Sequence, residues 1–452
     1  MTSCIMQSQY QKETNHLESV TSPNCFHKHL ETFRHLHPSI VEFKQKAWEH
    51  YLALPHPTMQ DEKWRFSRIA NNTFDHYSVN SVIDKECIAS IKQHSTHLKN
   101  YTSQIIIGNN QCLEKPLLPP ELEKKGVLFI SIEDALHNHP ERILQYCKLS
   151  KDELGSEKLL ALHMAYIQNG YLLYVPRNIH IEKPFVSYHW TSGQTAIFPT
   201  TLIVAEESSS FHVVDFYLSK NIQENGFSCG YSQVWTGNHA NVFRKTVQNF
   251  NHNTVSYQID HNIVQKASEL KHLAIHLGSK DARLENQIFI QGEHSNVNMY
   301  AVSVADNTQV IDQRTLQIHS AANARSNILY KNVLFDKANT IFSGLIKVDP
   351  NAQKTDAYQK NRNLLLSSDA EANALPGLEI LANDVKCSHG ATTGPIDSSE
   401  LYYLMSRGIP RNQAQELLAL GFLEEVIEVI EKEELAELTR TLIASKFSQK
   451  SL

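Results

Sequence analysis

No hydrophobic run in this chain of 452 residues approaches the ~20 apolar residues that a membrane-spanning helix needs. The first residues, Met1-Thr-Ser-Cys-Ile-Met-Gln-Ser-Gln-Tyr10, lack the charged-then-apolar layout of a secretory signal, so the expected location is cytoplasmic. Cysteine is scarce and dispersed: Cys4, Cys25, Cys87, Cys112, Cys147, Cys229 and Cys387 form no Cys-x-x-Cys pair, and reduced thiols are expected. A basic stripe is also missing. With a formal charge of -6, the composition argues against nucleic-acid partners and against anionic membrane surfaces, both of which need clustered Lys and Arg.

Signatures of catalysis are absent too. Gly390-Ala-Thr-Thr-Gly394 has the glycines of a phosphate loop without the Lys that reaches the phosphates, so the chain should not hydrolyse ATP itself. There is no Gly-x-Ser-x-Gly elbow, no His-Glu-x-x-His and no Gly-x-Gly-x-x-Gly opening a helix. The sequence points to a binding scaffold and not to an enzyme.

What is present is enough apolar residue, 41%, for two or three domains, and an unusual 24 histidines, of which no more than one or two should serve a metal. Residues 1–169 read as a mostly helical N-terminal domain. Ile40, Phe43, Ala47, Trp48 and Tyr51 share one helical stripe behind Pro38, and Ser131-Ile-Glu-Asp134 opens a later helix. Gly108 to Pro120, rich in proline, reads as a linker. From 170 to 381 short alternating runs take over, such as Phe211-His-Val-Val-Asp-Phe-Tyr217 and Val297-Asn-Met-Tyr-Ala-Val-Ser-Val304, separated by Asn, Asp, Ser and Gly. A sandwich and a solenoid both suit that pattern; the Asn- and Ala-rich interruptions favour the solenoid, although no exact repeat is visible. Residues 382–452 return to helix, with Asp397 as a cap, Gly408 and Gly421 as stops, and a role in covering the open end of the solenoid.

Near the end stand Pro376-Gly-Leu-Glu-Ile380, Cys387-Ser-His-Gly-Ala-Thr392 and Glu400-Leu-Tyr-Tyr-Leu-Met-Ser-Arg-Gly-Ile409. A thiol and an imidazole two residues apart suit iron, zinc, copper or sulfide, but two ligands alone specify no metal site. The whole string resembles the C-terminal signature of the SufB/SufD family of iron-sulfur cluster assembly proteins, its SufD branch above all. Leu54-Pro-His-Pro-Thr-Met-Gln-Asp-Glu-Lys-Trp-Arg-Phe66, Gly126-Val-Leu-Phe-Ile-Ser131, Asn169-Gly-Tyr-Leu-Leu-Tyr-Val-Pro176 and Gly421-Phe422 resemble further landmarks of that family, in its order. A SufB-like paralogue carries a Cys at the position of Ile380 and an acid after the histidine; here Ile380 and Gly390 stand instead.

The resemblance implies a right-handed parallel β-helix core between helical N- and C-terminal segments. It also implies a scaffold subunit of a SufBCD-type complex, pairing with a SufB-like paralogue and with a SufC-like ABC-type ATPase. In that setting His389, with Cys387 beside it, faces the paralogue where iron or an iron-sulfur cluster is handled, and no cofactor is held stably by this chain alone. Arg407, Gly408 and Phe422 fall in the segment that the ATPase would dock on. Flavin binding, associated with complexes of this type, is left open, since the sequence carries no motif for it. A structural histidine at 389, a packing thiol at 387, and Glu379 as a cap of the last coil are the alternative readings. For the whole chain the alternatives are a β-helix polysaccharide lyase or hydrolase, and a solenoid interaction protein without metal chemistry.

Overall fold

The computed structural model describes residues 18–79, 83–147, 153–430 and 433–448. Cys4, expected to belong to no site, lies outside them. The core is a β-solenoid of about eight turns with parallel strands, flanked by N- and C-terminal helical segments. One sheet stacks Ser103–Gly108, Phe185–Thr191, Ser210–Ser219, Asn241–Asn249, Glu269–His276, Asn296–Ala305, Arg325–Leu334, Asp356–Leu365 and Lys386–Pro395 in parallel. The other stacks Asn169–Val175, Pro199–Ala205, Phe227–Thr236, Val255–Val264, Asp281–Ile290, Val310–His319, Asn339–Val348 and Glu371–Ile380. Two antiparallel strands finish the starting end, Gln111–Glu114 on the first sheet and Leu128–Ser131 on the second.

The solenoid is therefore longer than the span 170–381. The β-branched run Ile105-Ile-Ile107 pairs with Tyr188 and its neighbours, as its strand propensity favours, and the expected linker after Gly108 contains a strand. At the other end Lys386–Pro395 completes the last coil, and helix begins only at Ser398. Its small residues and two glycines give it little of a strand's usual signature.

Chain reversal at one corner uses left-handed backbone at Asn178, Ser208, His239, Ala267, His294, Asn323 and Lys354. Each donates its N–H to a carbonyl of the following coil, so the corners form their own ladder: Asn178 to Glu207, Ser208 to Asn238, His239 to Lys266, Ala267 to Glu293, and so on to Asp384. Glycine would meet this geometry without strain, whereas an L side chain costs roughly 1–2 kcal/mol there. Asn tolerates it best, and the stacked hydrogen bond holds the others in place.

Period-two alternation divides each strand between lumen and exterior. Outside the second sheet, Tyr231, Tyr257 and Ile259 pack against Trp48, Tyr166 and Phe198 in the core shared with the N-terminal helices. Arg283 pins this contact: its guanidinium lies 3.7 Å over the Trp64 ring and donates to Glu285 at 2.6 Å, Asp312 at 2.6 Å and the Lys63 carbonyl at 2.9 Å. The Lys-Trp-Arg element is thus a clamp on the solenoid wall. Outside the first sheet, Leu273, Val302 and Leu329 receive Leu423, Val426 and Ile427 of the helix Arg411–Ile427, and Ile443 and Phe447 of the helix Glu433–Ser448. These helices lie along the wall and do not cover the end of the solenoid. Gly421, expected as a stop, sits inside the longer helix, because the apolar stripe on both sides outweighs the cost of one glycine, about 1 kcal/mol.

Candidate functional site

Because the C-terminal helices turn aside, the last coil is left bare by the described residues. Its strands Glu371–Ile380 and Lys386–Pro395 are the outermost members of their sheets, each with a single neighbour. Most of their side chains are exposed or half-buried, with Leu375 and Ile380 at 38% and Leu381, just beyond, at 54%. An uncovered parallel edge of this kind presents free backbone groups together with apolar side chains.

Cys387 and His389 share the terminal strand and point to the same side of it, in register with Ala357 and Gln359 of the coil beneath. They differ in environment. Cys387 is half-buried against Ile346, Val348, Ala357 and Leu378, and burial pushes its thiol up from the ordinary value, which disfavours the thiolate that would ligate or attack. His389 is exposed. Ile380 ends the facing strand, and Glu379 before it pairs with Lys347 at 3.4 Å. Among the described residues no three His, Cys, Asp or Glu side chains come together as a metal-binding group. The terminal strand therefore offers one accessible imidazole and one packed thiol, an incomplete ligand set.

A second surface lies on the helix Ser398–Ser406, capped by Asp397, whose carboxylate accepts from the N–H of Ser399 at 2.7 Å. Tyr402 is 74% exposed and Tyr403 57%, with Met405 nearby and Leu417 on the next helix also exposed. Arg407 is exposed and its guanidinium lies 5.2 Å from the Tyr403 ring centre. Gly408, in left-handed backbone, terminates the helix by donating its N–H to the Met405 carbonyl at 3.0 Å.

Phe422 is not part of that surface. It is half-buried in the middle of its helix, beneath Lys331, whose ammonium sits 4.9 Å from the ring and donates to the Phe422 carbonyl at 2.6 Å. The exposed aromatics of this segment are instead Tyr402 and Tyr403. They were legible in principle: Leu401-Tyr-Tyr-Leu-Met405 is apolar all round, and a short helix lying on one wall can bury only one face.

No helix of the described residues is long and apolar enough to cross a membrane. Comparison with known proteins accounts for nearly the whole chain. Residues 24–186 match the SufBD protein N-terminal region, and residues 188–422 match the SufBD core domain of the SUF system for FeS cluster assembly. Iron-sulfur cluster assembly protein SufD of Bacillus subtilis is 30% identical over 408 residues, covering 88% of this chain and 93% of that protein. An iron-sulfur cluster assembly SufBD family protein of Staphylococcus saprophyticus is 25% identical over 343 residues, covering 76% of this chain and 72% of its own length. The two matched regions meet within the strand Phe185–Thr191, and a solenoid with these relatives along its length belongs to the SufBD family of iron-sulfur cluster assembly proteins, on its SufD-like side.

Proposed function

We propose that this chain is a non-catalytic, cytoplasmic scaffold subunit of a SufBCD-type complex. A SufB-like paralogue stacks on the bare last coil, and a SufC-like ATPase docks on the helix Ser398–Ser406 around Tyr402, Tyr403, Arg407 and Gly408. The observation that carries this reading is the separation of the two surfaces: the C-terminal helices lie along the solenoid wall, so the terminal strands and the exposed tyrosines are both available at once. Stacking of a second solenoid would satisfy the edge donors and acceptors and cover Leu375, Ile380 and Leu381.

Iron or a nascent cluster is cargo in this scheme. His389 contributes its imidazole to it across the joint, and the paralogue supplies the thiolate that Ile380 lacks here. Cys387 contributes mainly packing, in keeping with its half-buried thiol. Co-expression with a SufB-like and a SufC-like protein tests the assignment. A ternary complex is expected, with the paralogue lost on Leu375→Glu/Ile380→Glu and the ATPase lost on Tyr402→Glu/Tyr403→Glu. If both double variants hold both partners, the assignment of surfaces is wrong.

A further inference from the structure

The lumen of an ordinary β-solenoid is packed with aliphatic side chains, but here one interior row is polar on every coil after the first, where Ile107 stands opposite His189. In pairing order it reads His189, Tyr217, Gln248, His276, Ser303, Asn332, Asn363 and Thr393. Its later members are hydrogen-bonded in series: His276 to Ser303 at 3.3 Å, Gln313 to Ser303 at 3.0 Å, Asn332 to Gln313 at 3.3 Å, Asn332 to Asn363 at 2.8 Å and Asn363 to Thr393 at 3.1 Å. A cavity of about 40 Å³ adjoins the row, lined in part by Gln248, Asp260, His272, His276, Gln313 and Tyr330, with room for about two or three waters.

The side chains around this row are not satisfied by protein alone. In the later coils Thr315 Oγ1, both polar atoms of Gln317, His319 Nδ1, Asn332 Oδ1, Gln359 Oε1 and Asn361 Nδ2 are buried and meet no hydrogen-bond partner among the described residues. All six residues are 1% exposed or less. Left dry, seven such atoms would cost as much as the whole net stability of a typical domain. Mutual pairing could remove part of that penalty only by breaking bonds already made, such as those of Gln359 to the Gly344 and Gly377 carbonyls.

We infer that the solenoid interior is a binding site for a file of ordered waters, held by these orphaned side chains and running from the cavity near His276 to the bare last coil. Gln359 and Asn361 form its outer end, paired in the sheet with His389 and Ala391 of the terminal strand. If a paralogue covers that strand, as proposed above, the file remains as solvent on the inner side of the joint. The file itself does not depend on that reading, and its tests need no partner.

Two measurements decide it. A near-atomic crystal structure of the full chain should show water density within hydrogen-bond distance of Gln317 and Asn361; the same side chains turned to pair with one another, with no water between them, would overturn the inference. Gln317→Leu removes two polar atoms at similar volume. In a wet lumen it strands the waters and should lower the unfolding midpoint by several degrees, whereas in a dry lumen it removes an unpaid desolvation cost, and a midpoint unchanged or raised would count against the file. The crystallographic arm uses the unmodified chain and so stands even if the variant fails to fold.

Discussion

His389 and Gln359 are paired neighbours on the last two strands of one sheet, the imidazole exposed and the amide fully buried. Their contrast marks the boundary between a surface that can receive a partner and an interior that cannot move. His389→Ala should therefore change stability by less than about 0.5 kcal/mol, as surface substitutions do. In the reconstituted complex it should lower cluster yield, read by absorption after anaerobic loading, with the complex still assembled. Cys387→Ala should show the opposite balance: a loss of about 1 kcal/mol from packing and a smaller effect on yield. Equal yields for His389→Ala and the parent would return the imidazole to a structural role.

The two aromatic surfaces of the C-terminal helices should separate in mutagenesis. Tyr403→Glu should leave the melting curve close to that of the parent and weaken ATPase co-purification. Phe422→Glu should instead lower stability by about 2–4 kcal/mol, because it puts a carboxylate into a half-buried site against the sheet. The nearby Lys331 ammonium would offset part of that loss. A Phe422 variant that keeps full stability but loses the ATPase would put the docking surface on the wrong face.

The left-handed corners make a prediction of opposite sign. Ala267→Gly and Lys354→Gly remove a Cβ penalty at backbone that is already left-handed, and each should raise stability by about 0.5–1 kcal/mol after the greater entropy loss of glycine. Chemical denaturation midpoints test this directly. Lowered midpoints for both would mean that the side chains at these corners contribute more than the strain they impose.

Acid sensitivity follows from the buried imidazoles. Burial holds His163, His189 and His272 down at about 4 and His276 down at about 3, whereas the unfolded chain binds those protons near pH 6.5. Between the two values the unfolded state carries more protons, so this stability is fully present above about pH 6.5 and is lost as pH falls toward 4. Urea midpoints at pH 7.5, 6 and 5 should descend in that order. A flat series would show that these rings are already protonated in the native state.

Much of the architecture was legible because short alternating runs and stacked strands share one period, and the family landmarks run along the chain in the family's order. The coil repeat itself was hidden. What recurs at the corners is a backbone conformation, occupied in turn by Asn, Ser, His, Ala, His, Asn and Lys, residues with no common side-chain chemistry. The last strand was hidden for a different reason: Gly390 and Gly394 have weak strand propensity, and its pairing is fixed by the coil below, not by its own sequence. Phe422 shows the limit of motif transfer, since a residue can stand at a recognisable position and still turn its ring toward its own sheet. The polar interior row was hidden because Asn, Gln and Ser within strands look like exterior positions until the register reveals which way they point.

A stack of like layers with its last layer bare behaves as the growing face of a one-dimensional crystal, where addition of further layers is limited only by what the face refuses. Here the face carries Pro376 in one terminal strand and Pro395 at the end of the other, each lacking an N–H. Unlimited growth by identical molecules is thereby penalised at fixed points along both edges, while a different solenoid whose acceptors avoid those points is admitted. On the stacking reading proposed above, the two prolines would let the open end select its next layer by hydrogen-bond pattern.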